Sequence, residues 1–286
     1  MVENKMKRRQ SFFPCIRRIL LYLFAAILCI CFIFPFFWML RTSLMELKQI
    51  FLLPPVFLPD PLYWQNYPEA FGHFPLLRFI GNSFLISILS VVGAVFTSSL
   101  CAFGFSRIQW KLREPIFTVV LCSMMLPYAV TIIPTYLGWN MVDGVDTYLP
   151  LILPSWCGGG AMYIFLLRQF FLSLPKELDE SAIVDGAGYF TIYSRIILPL
   201  TKPALIVVML FSFQASWNDF LSPIVYLNTT DKYPMSVGLQ LFSSSYSVAY
   251  GELMAVAVIA VLPCVLLFFA GQKYFIEGIA LTGIKG

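Results

Sequence analysis

A charged segment, Pro175–Leu200, lies between two long apolar stretches and has the most distinctive spacing in the chain. Its acidic residues within Glu177–Glu180 fall in the first turns of a predicted helix, where the helix dipole favours carboxylates. These carboxylates are suited to pairing with basic groups in a cleft of another protein. The small Ser181 and Ala182 next to them would permit close approach by that protein. The chemistry predicted for this segment is protein docking.

Glycine and proline residues are expected to end the helices of the same segment. Gly186 and Gly188 are expected to end the first helix by adopting positive φ, which glycine does without steric cost. Tyr189–Leu198 is predicted to form a second short helix, which Pro199 stops. The sequence therefore predicts two short helices joined by a turn and projecting from whatever holds their ends.

Residue types suited to catalysis are scarce. His73 is the single histidine and is expected to be solvated or interfacial. The seven cysteines include no C-x-x-C pair, and most lie in apolar runs, where a thiol behaves as a small apolar group. Gly278 and Gly283 have the spacing of a P-loop, but Ile284 stands where its Lys would be. We therefore predict no catalytic residue, no metal site and no cofactor bound by this chain.

Composition identifies the elements that must position the segment. The chain has 286 residues, of which 59% are hydrophobic and 12% charged, about half the charged fraction of an ordinary soluble domain. A membrane-spanning helix needs about 20 apolar residues. Six stretches meet this length, namely Ile19–Leu40, Phe79–Ser106, Pro115–Gly138, Tyr148–Leu167, Pro203–Leu227 and Glu252–Gln272. The predicted fold class is an all-α, polytopic membrane protein with six transmembrane helices.

The distribution of Lys and Arg predicts the orientation. With the N-terminus inside, all but four of the 19 Lys and Arg residues face the cytoplasm, as the positive-inside rule expects. Both termini are then cytoplasmic. The predicted divisions are a cytoplasmic tail at 1–18, a six-span domain at 19–272 that includes a cytoplasmic loop at 173–200, and a second tail at 273–286. No basic run indicates nucleic-acid binding.

The loop at 173–200 resembles the EAA loop of prokaryotic ABC importer permeases. The family pattern is Glu-Ala-Ala, three residues, Gly, nine residues and Ile-x-Leu-Pro, and the one departure here is Ser181 for the first Ala. The resemblance implies a type I permease fold and an ATPase-coupling site. The residues carried over to that site are Glu180, Ser181, Ala182, Asp185, Gly186, Ile196, Leu198 and Pro199. Residues 173–200 are named the EAA-like loop below.

Further stretches resemble the carbohydrate-uptake branch, which is related to the maltose-transporter inner-membrane permease. They include "FLLRQFFLSLPKEL" at 165–178, "SWNDFLSP" at 216–223 and "QKYFIEGIALTGIKG" at 272–286. In these relatives the C-terminal tail reaches into the ATPase dimer, which implies contacts from Lys285 and Gly286, although a frayed terminus is the alternative. The implied assembly is a heterodimer with a second permease subunit, two ATPase subunits that use ATP and Mg, and an extracytoplasmic sugar-binding protein, in the bacterial inner membrane.

The fifth apolar stretch holds a candidate substrate path of Gln214, Trp217, Asn218 and Asp219. Polar residues in membrane segments usually face the bundle interior or a wet cavity, and Trp217 could stack on a sugar ring. The alternative is interhelical hydrogen bonding by Gln214 and Asn218 with Trp217 as a core aromatic residue.

Other functions stay open at this point. The cargo could be a peptide, a phosphate or an amino acid. An ion channel or an intramembrane enzyme is disfavoured, because neither charge rings nor convergent acid, base and metal-ligand groups are visible in the sequence.

Overall fold

The computed structural model describes residues 2–244 and 250–283, and every regular element in them is helical. The prediction of an all-α protein is therefore confirmed for the described part of the chain. The chain divides into two compact units, Met1–His73 with Ser245–Ile259 and Phe74–Ser244 with Ala260–Gly286.

The first unit contains one long helix and two short ones. These are α1 (Val2–Ser43), α2 (Leu47–Ile50) and α3 (Asn66–His73). The Asn66 side chain secures the turn after α1, because its amide donates to the carbonyl oxygens of Ser43 and Met45, each at 2.9 Å. The start of α15 (Tyr250–Gly283) completes this unit. There the His73 ring lies 3.0 Å from the Glu252 carboxylate.

The second unit contains the remaining helices. In chain order they are α4 (Leu76–Ser106), α5 (Arg113–Ser123), α6 (Tyr128–Met141), α7 (Leu149–Trp156), α8 (Ala161–Ser173), α9 (Glu177–Val184), α10 (Tyr189–Thr191), a π-helical segment Ile192–Ile197, α11 (Leu198–Leu200), α12 (Lys202–Trp217), α13 (Leu221–Tyr226), a 3₁₀ turn Thr230–Lys232, α14 (Met235–Ser244) and the rest of α15. Helix α4 is central to this unit, since α7, α8, α12 and α14 all pack on it.

Among the described residues, four helical stretches are long and apolar enough to cross a membrane. They are Arg17–Ser43, Leu76–Ser106, Leu149–Ser173 and Tyr250–Tyr274. Two bent pairs of helices also qualify, which gives six spans if each pair is one span. The predicted number of spans is reached only in this way. Three of the predicted stretches, Pro115–Gly138, Tyr148–Leu167 and Pro203–Leu227, are not continuous helices.

The predicted third span, Pro115–Gly138, is broken in the structure. Helices α5 and α6 meet at an angle of 98°. Pro127 precedes α6 with an extended ψ of 138°, and a proline also disfavours the helical conformation in the residue before it. The break therefore follows directly from the Leu126–Pro127 bond.

The predicted fifth span, Pro203–Leu227, ends early. Helix α12 stops at Trp217, and α13 begins only at Leu221. A bend lies before α12, where the Tyr189–Leu200 helical segment meets α12 at an angle of 79°.

A glycine brings the fourth span close to α4. Between α7 and α8, Gly158, Gly159 and Gly160 all have positive φ. A Cβ on Gly159 would lie 2.4 Å from the carbonyl oxygen of Ala94. Only glycine allows this contact, so the connection between α7 and α8 lies directly on the backbone of α4.

Candidate functional site

Helix α9, the first part of the EAA-like loop, is formed by local signals. Glu177, Asp179 and Glu180 occupy its first turn, where they interact favourably with the helix dipole. At its end Gly186 has φ of 81°, and the amide of Ala187 donates to the carbonyl oxygen of Ala182 at 2.9 Å. This is a Schellman motif, and the expected positive φ of Gly186 is confirmed.

Gly188 does not behave as expected. Its φ is −77° and its ψ is 164°, and it precedes α10 as the N-terminal cap residue. This extended conformation is open to any residue. The turn between the two short helices therefore depends on Gly186 alone for left-handed backbone.

The predicted coupling residues divide into exposed and buried groups. Glu180, Ser181, Asp185, Gly186 and Pro199 are exposed, and Ile196 and Leu198 are half-buried. Ala182 is buried in the chain's own core, in a cluster that includes Phe171, Ile192 and Ile197. Its small side chain therefore fits the packing within this chain, and the expectation that Ala182 leaves room for a partner is wrong.

Four large apolar side chains are exposed around the turn. Ile183 is 53% exposed, Val184 87%, Tyr189 56% and Phe190 75%. These four residues are named the apolar tip. Sequence reasoning missed them, although the pair Ile183-Val184 directly before Asp185-Gly186 was a legible signal: apolar side chains at a turn flanked by charges.

The loop is anchored to the end of α4 by an ion pair. Arg107 donates from Nη1 to Asp179 Oδ2 at 2.8 Å. The guanidinium also donates to the backbone carbonyls of Phe171 and Leu174. Asp179 is thus engaged within the chain and is not one of the carboxylates free for a partner. Arg107 was not predicted as a site residue.

The second part of the loop makes another contact with α4. The Tyr193 and Ser99 hydroxyl oxygens lie 2.7 Å apart in a buried hydrogen bond. Tyr193 lies in the π-helical segment Ile192–Ile197, and such segments are frequent at functional sites. Pro199 does not stop this helix at once, because the helical backbone continues to Leu200.

The candidate substrate path lies where α12 ends. Trp217 is 4% exposed, and its indole N–H donates to the carbonyl oxygen of Ala260 at 2.9 Å. Its ring stacks on Phe213 and meets Phe84 edge-on. In this conformation the ring is a buried core aromatic residue.

The polar members of the path form bonds within the chain. Asn218 donates from its side chain to the Gln214 carbonyl oxygen at 2.9 Å. Asp219 Oδ1 accepts from the amide of Ser222 at 3.1 Å, which caps the start of α13. The Gln214 side chain is exposed.

Asp219 also lines a cavity of about 190 Å³ in the second unit. Besides Asp219, its polar lining consists of Ser83, Ser90, Ser155, Tyr163, Ser212 and Ser216. A cavity of this volume and polarity holds several water molecules. Its hydroxyl groups would equally bond a polar ligand.

A separate polar cluster holds the connection after α13. The Asp146 carboxylate accepts from the Lys232 ammonium at 2.8 Å, from the Thr229 hydroxyl at 2.6 Å and from the amides of Asn228 and Thr229. Lys232, followed by these other donors, holds the pKa of Asp146 well below its ordinary value. Asp146 itself has φ of 59°, a conformation that Asp tolerates.

Two further predictions concern the tail and metals. Lys285 and Gly286, the predicted tail contacts, lie outside the described residues. Within residues 2–244 and 250–283, no three His, Cys, Asp or Glu side chains are grouped so as to hold a metal ion. The expectation that this chain binds no cofactor stays a prediction.

Comparison with known proteins places this geometry in context. A family model described as "Binding-protein-dependent transport system inner membrane component" matches residues 94–280. The chain is 33% identical over 272 residues to the arabinooligosaccharides transport system permease protein AraQ of Bacillus subtilis, covering 94% of this chain and 96% of that protein. It is 33% identical over 281 residues to the trehalose/maltose transport system permease protein MalG of Thermococcus litoralis, covering 95% and 98%.

A solved structure shares the fold. It is a bacterial ABC transporter involved in the import of the acidic polysaccharide alginate, with a TM-score of 0.81 over 91% of this chain and 96% of the compared chain. The sequence identity is 21%, so this similarity bears on fold only.

Proposed function

Because the chain belongs to the family of binding-protein-dependent transport system inner membrane components, we propose that it is the pore subunit of an ATP-driven importer for sugars or oligosaccharides. It is a multi-pass membrane protein and a transport component, and its family works with other ABC components such as an ATPase and a binding protein. The proposed location is the bacterial cytoplasmic membrane, with both termini and the EAA-like loop on the cytoplasmic side.

The observation that carries the coupling proposal is the apolar tip. Val184 and Phe190 are among the most exposed large apolar side chains of the second unit, yet Glu180 and Asp185 beside Val184 are exposed too. Carboxylates do not enter hydrocarbon readily, so lipid does not cover this surface. An exposed apolar patch rimmed by charged groups is typical of a protein-binding surface. The proposed occupant is a groove of the ATPase subunit.

The proposed mechanism follows from this contact. ATP-driven closure of two ATPase subunits displaces the EAA-like loop, and the packed helices then move as a set. The translocation path between the permease subunits opens outward and accepts sugar from an extracytoplasmic binding protein. This is a change between packed states of the hinge and shear type. The proposed assembly includes a second permease subunit, and ATP and Mg act in the ATPase subunits, with no cofactor bound by this chain.

The sugar cargo is supported by the relatives. Their names specify arabinooligosaccharides, trehalose/maltose and, for a protein of Rhizobium radiobacter, lactose. The polar cavity at Asp219 is consistent with a ligand rich in hydroxyl groups. Titration of the cognate solute-binding protein with arabinooligosaccharides, trehalose, a peptide and phosphate decides the class. Binding of a peptide or phosphate alone would overturn the sugar assignment.

The coupling proposal is tested by a matched pair of glycine variants. A Cβ at Gly186 or at Gly188 would meet nothing within 4 Å, but of the two only Gly186 has positive φ. In Gly186→Val the β-branched residue disfavours the turn, so sugar uptake should fall more than about 10-fold with loss of ATPase co-purification or coupling. Gly188→Val should stay within about 2-fold, since its backbone is extended. Equal uptake by both variants would contradict the proposal.

A further inference from the structure

The connection between the EAA-like loop and α4 is an ion pair at a junction of three helix ends. Arg107 directly follows α4. Its guanidinium bonds to Asp179 in the first turn of α9, at 2.8 Å. It also bonds to the carbonyl oxygens of Phe171 and Leu174 at the end of α8, at 2.5 and 3.1 Å. One side chain thus joins α4, α8 and α9.

This ion pair is shielded from water. The Arg107 side chain is 5% exposed and the Asp179 side chain 16% exposed. Burying a pair of charges carries a desolvation penalty that the attraction between them offsets only with good geometry and full hydrogen bonding. Here Arg107 Nε and Asp179 Oδ1 have no hydrogen-bond partner among the described residues. The pair is therefore poorly explained as a device for stability alone.

The geometry of the ion pair is better explained by a role in holding the helices in a fixed relation. A charge-assisted hydrogen bond is short and directional, and the backbone carbonyls of α8 hold the guanidinium in one orientation. Asp179 lies next to Glu180 and on the same helix as Val184, so a displacement of the apolar tip reaches Arg107 through one rigid helix. The Tyr193–Ser99 hydrogen bond, at 2.7 Å, gives a second attachment two turns earlier on α4.

We propose that Arg107 and Asp179 are positioning residues that transmit displacement of the EAA-like loop to α4, and through α4 to the helices packed on it. The inference rests on the proposed function, since it assigns a route to the motion that the ATPase would drive. It predicts that breaking the pair separates ATP hydrolysis from transport while the docking surface stays intact.

The test uses Asp179→Asn, which keeps the shape of the side chain and removes its charge. The matched control is Glu114→Gln. Glu114 pairs with the buried Arg168 at 2.6 Å, and Arg168 also donates to a backbone carbonyl, that of Phe105. That pair also joins a buried arginine to a carboxylate and does not touch the EAA-like loop, although Glu114 is 56% exposed and also pairs with Arg113.

Each variant is reconstituted with its cognate permease, ATPase and binding protein, and sugar transported per ATP hydrolysed is measured with ATPase co-purification. Asp179→Asn should co-purify with the ATPase as the wild type does and transport at least about 10-fold less per ATP, while Glu114→Gln should match the wild type. A wild-type complex without ATP-dependent uptake would refute the proposed function itself. A working wild type with an unchanged ratio in Asp179→Asn would overturn the positioning role only.

A double variant covers the case in which Asp179→Asn does not assemble. Arg107→Met with Asp179→Leu removes both charges, which buried pairs generally tolerate better than the loss of one. We expect this variant to assemble and still to transport several-fold less per ATP, because an apolar contact has no fixed direction. A wild-type ratio, or failure of both variants to assemble, would show that the pair serves folding and would overturn the proposal.

Discussion

The EAA-like loop and the 218–232 segment, which follows α12, both expose large apolar side chains but differ in their polar groups. In the loop, four large apolar residues are exposed beside the exposed Glu180 and Asp185, and Asp179 is buried in an ion pair with Arg107. In the 218–232 segment and at the end of α12, the large aromatic Trp217 is buried, and Asn218 and Asp219 bond within the chain.

The difference supports the proposed place of a partner. Polar groups that are hydrogen-bonded within the chain complete a fold, whereas exposed apolar side chains beside exposed carboxylates leave a surface that another protein can cover. By this criterion we propose the loop as the docking surface and the 218–232 segment as a joint between helices.

The largest expected effect comes from a charge in the apolar tip. Val184→Asp would place a carboxylate in the proposed apolar contact without a partner, and an unpaired buried charge is strongly unfavourable. We expect ATPase co-purification and sugar uptake to fall more than about 10-fold. The control is Gln109→Asp, which adds the same charge at an exposed position outside the EAA-like loop. If Val184→Asp transports as the control does, the tip is not a docking surface and the comparison fails.

Much of this architecture was predictable from sequence, because the strongest signals are local. The lengths of the apolar stretches predicted the membrane helices. The acidic residues within Glu177–Glu180 predicted the start of α9, and Gly186 predicted its end. The breaks were harder to place. Pro127 divides a predicted span with a bend of 98°, yet Pro134 and Pro263 lie inside helices that continue. Whether a proline breaks a membrane helix depends on how neighbouring groups satisfy the freed carbonyl. A single sequence does not show which groups are neighbours.

The site was predicted less completely than the fold. The loop residues were located through the family pattern, but Ala182 proved to be a core residue and Asp179 an internal ion-pair partner. Arg107 lies far from Asp179 in the sequence, and no local spacing connects them. Contacts of this kind depend on tertiary packing, so the anchor of the loop could be found only in the structure.

A second prediction tests whether Trp217 is structural. Trp217→Ala removes a buried ring and should lower the free energy of unfolding by about 3–5 kcal/mol. Trp217→Phe, which loses mainly the bond to Ala260, should lower it by about 1 kcal/mol. Thermal unfolding in detergent and uptake kinetics check this. A change in the KM for sugar in Trp217→Phe with no change in stability would instead place the ring in the substrate path.

The third prediction concerns the polar cluster that holds the 218–232 segment. The pKa of Asp146 is lowered in the folded protein from its ordinary value of 3.8, so its stabilising effect is complete above that value and is lost as the pH falls towards the folded pKa. Asp146→Asn should therefore lower stability by about 1–2 kcal/mol at pH 7, and the difference from wild type should shrink below about pH 4. Melting curves of both proteins from pH 7 to pH 3 measure it. A constant difference would mean that the charge of Asp146 is not what holds the loop.

The smallest effect is expected at Asp219. It distinguishes most directly between a helix cap and a residue that serves the cargo. As a helix cap, Asp219 should lose about 1 kcal/mol on change to Ala and only a few tenths on change to Asn, which keeps an acceptor oxygen for the Ser222 amide. Uptake by Asp219→Asn should then stay within about 2-fold of wild type, because neither the cap nor the cavity lining is lost. The measurement pairs thermal unfolding with initial uptake rates over a range of sugar concentrations. If Asp219→Asn is as stable as wild type but takes up sugar much more slowly, its charge serves the cargo, and the 218–232 segment is a functional surface as well as a joint.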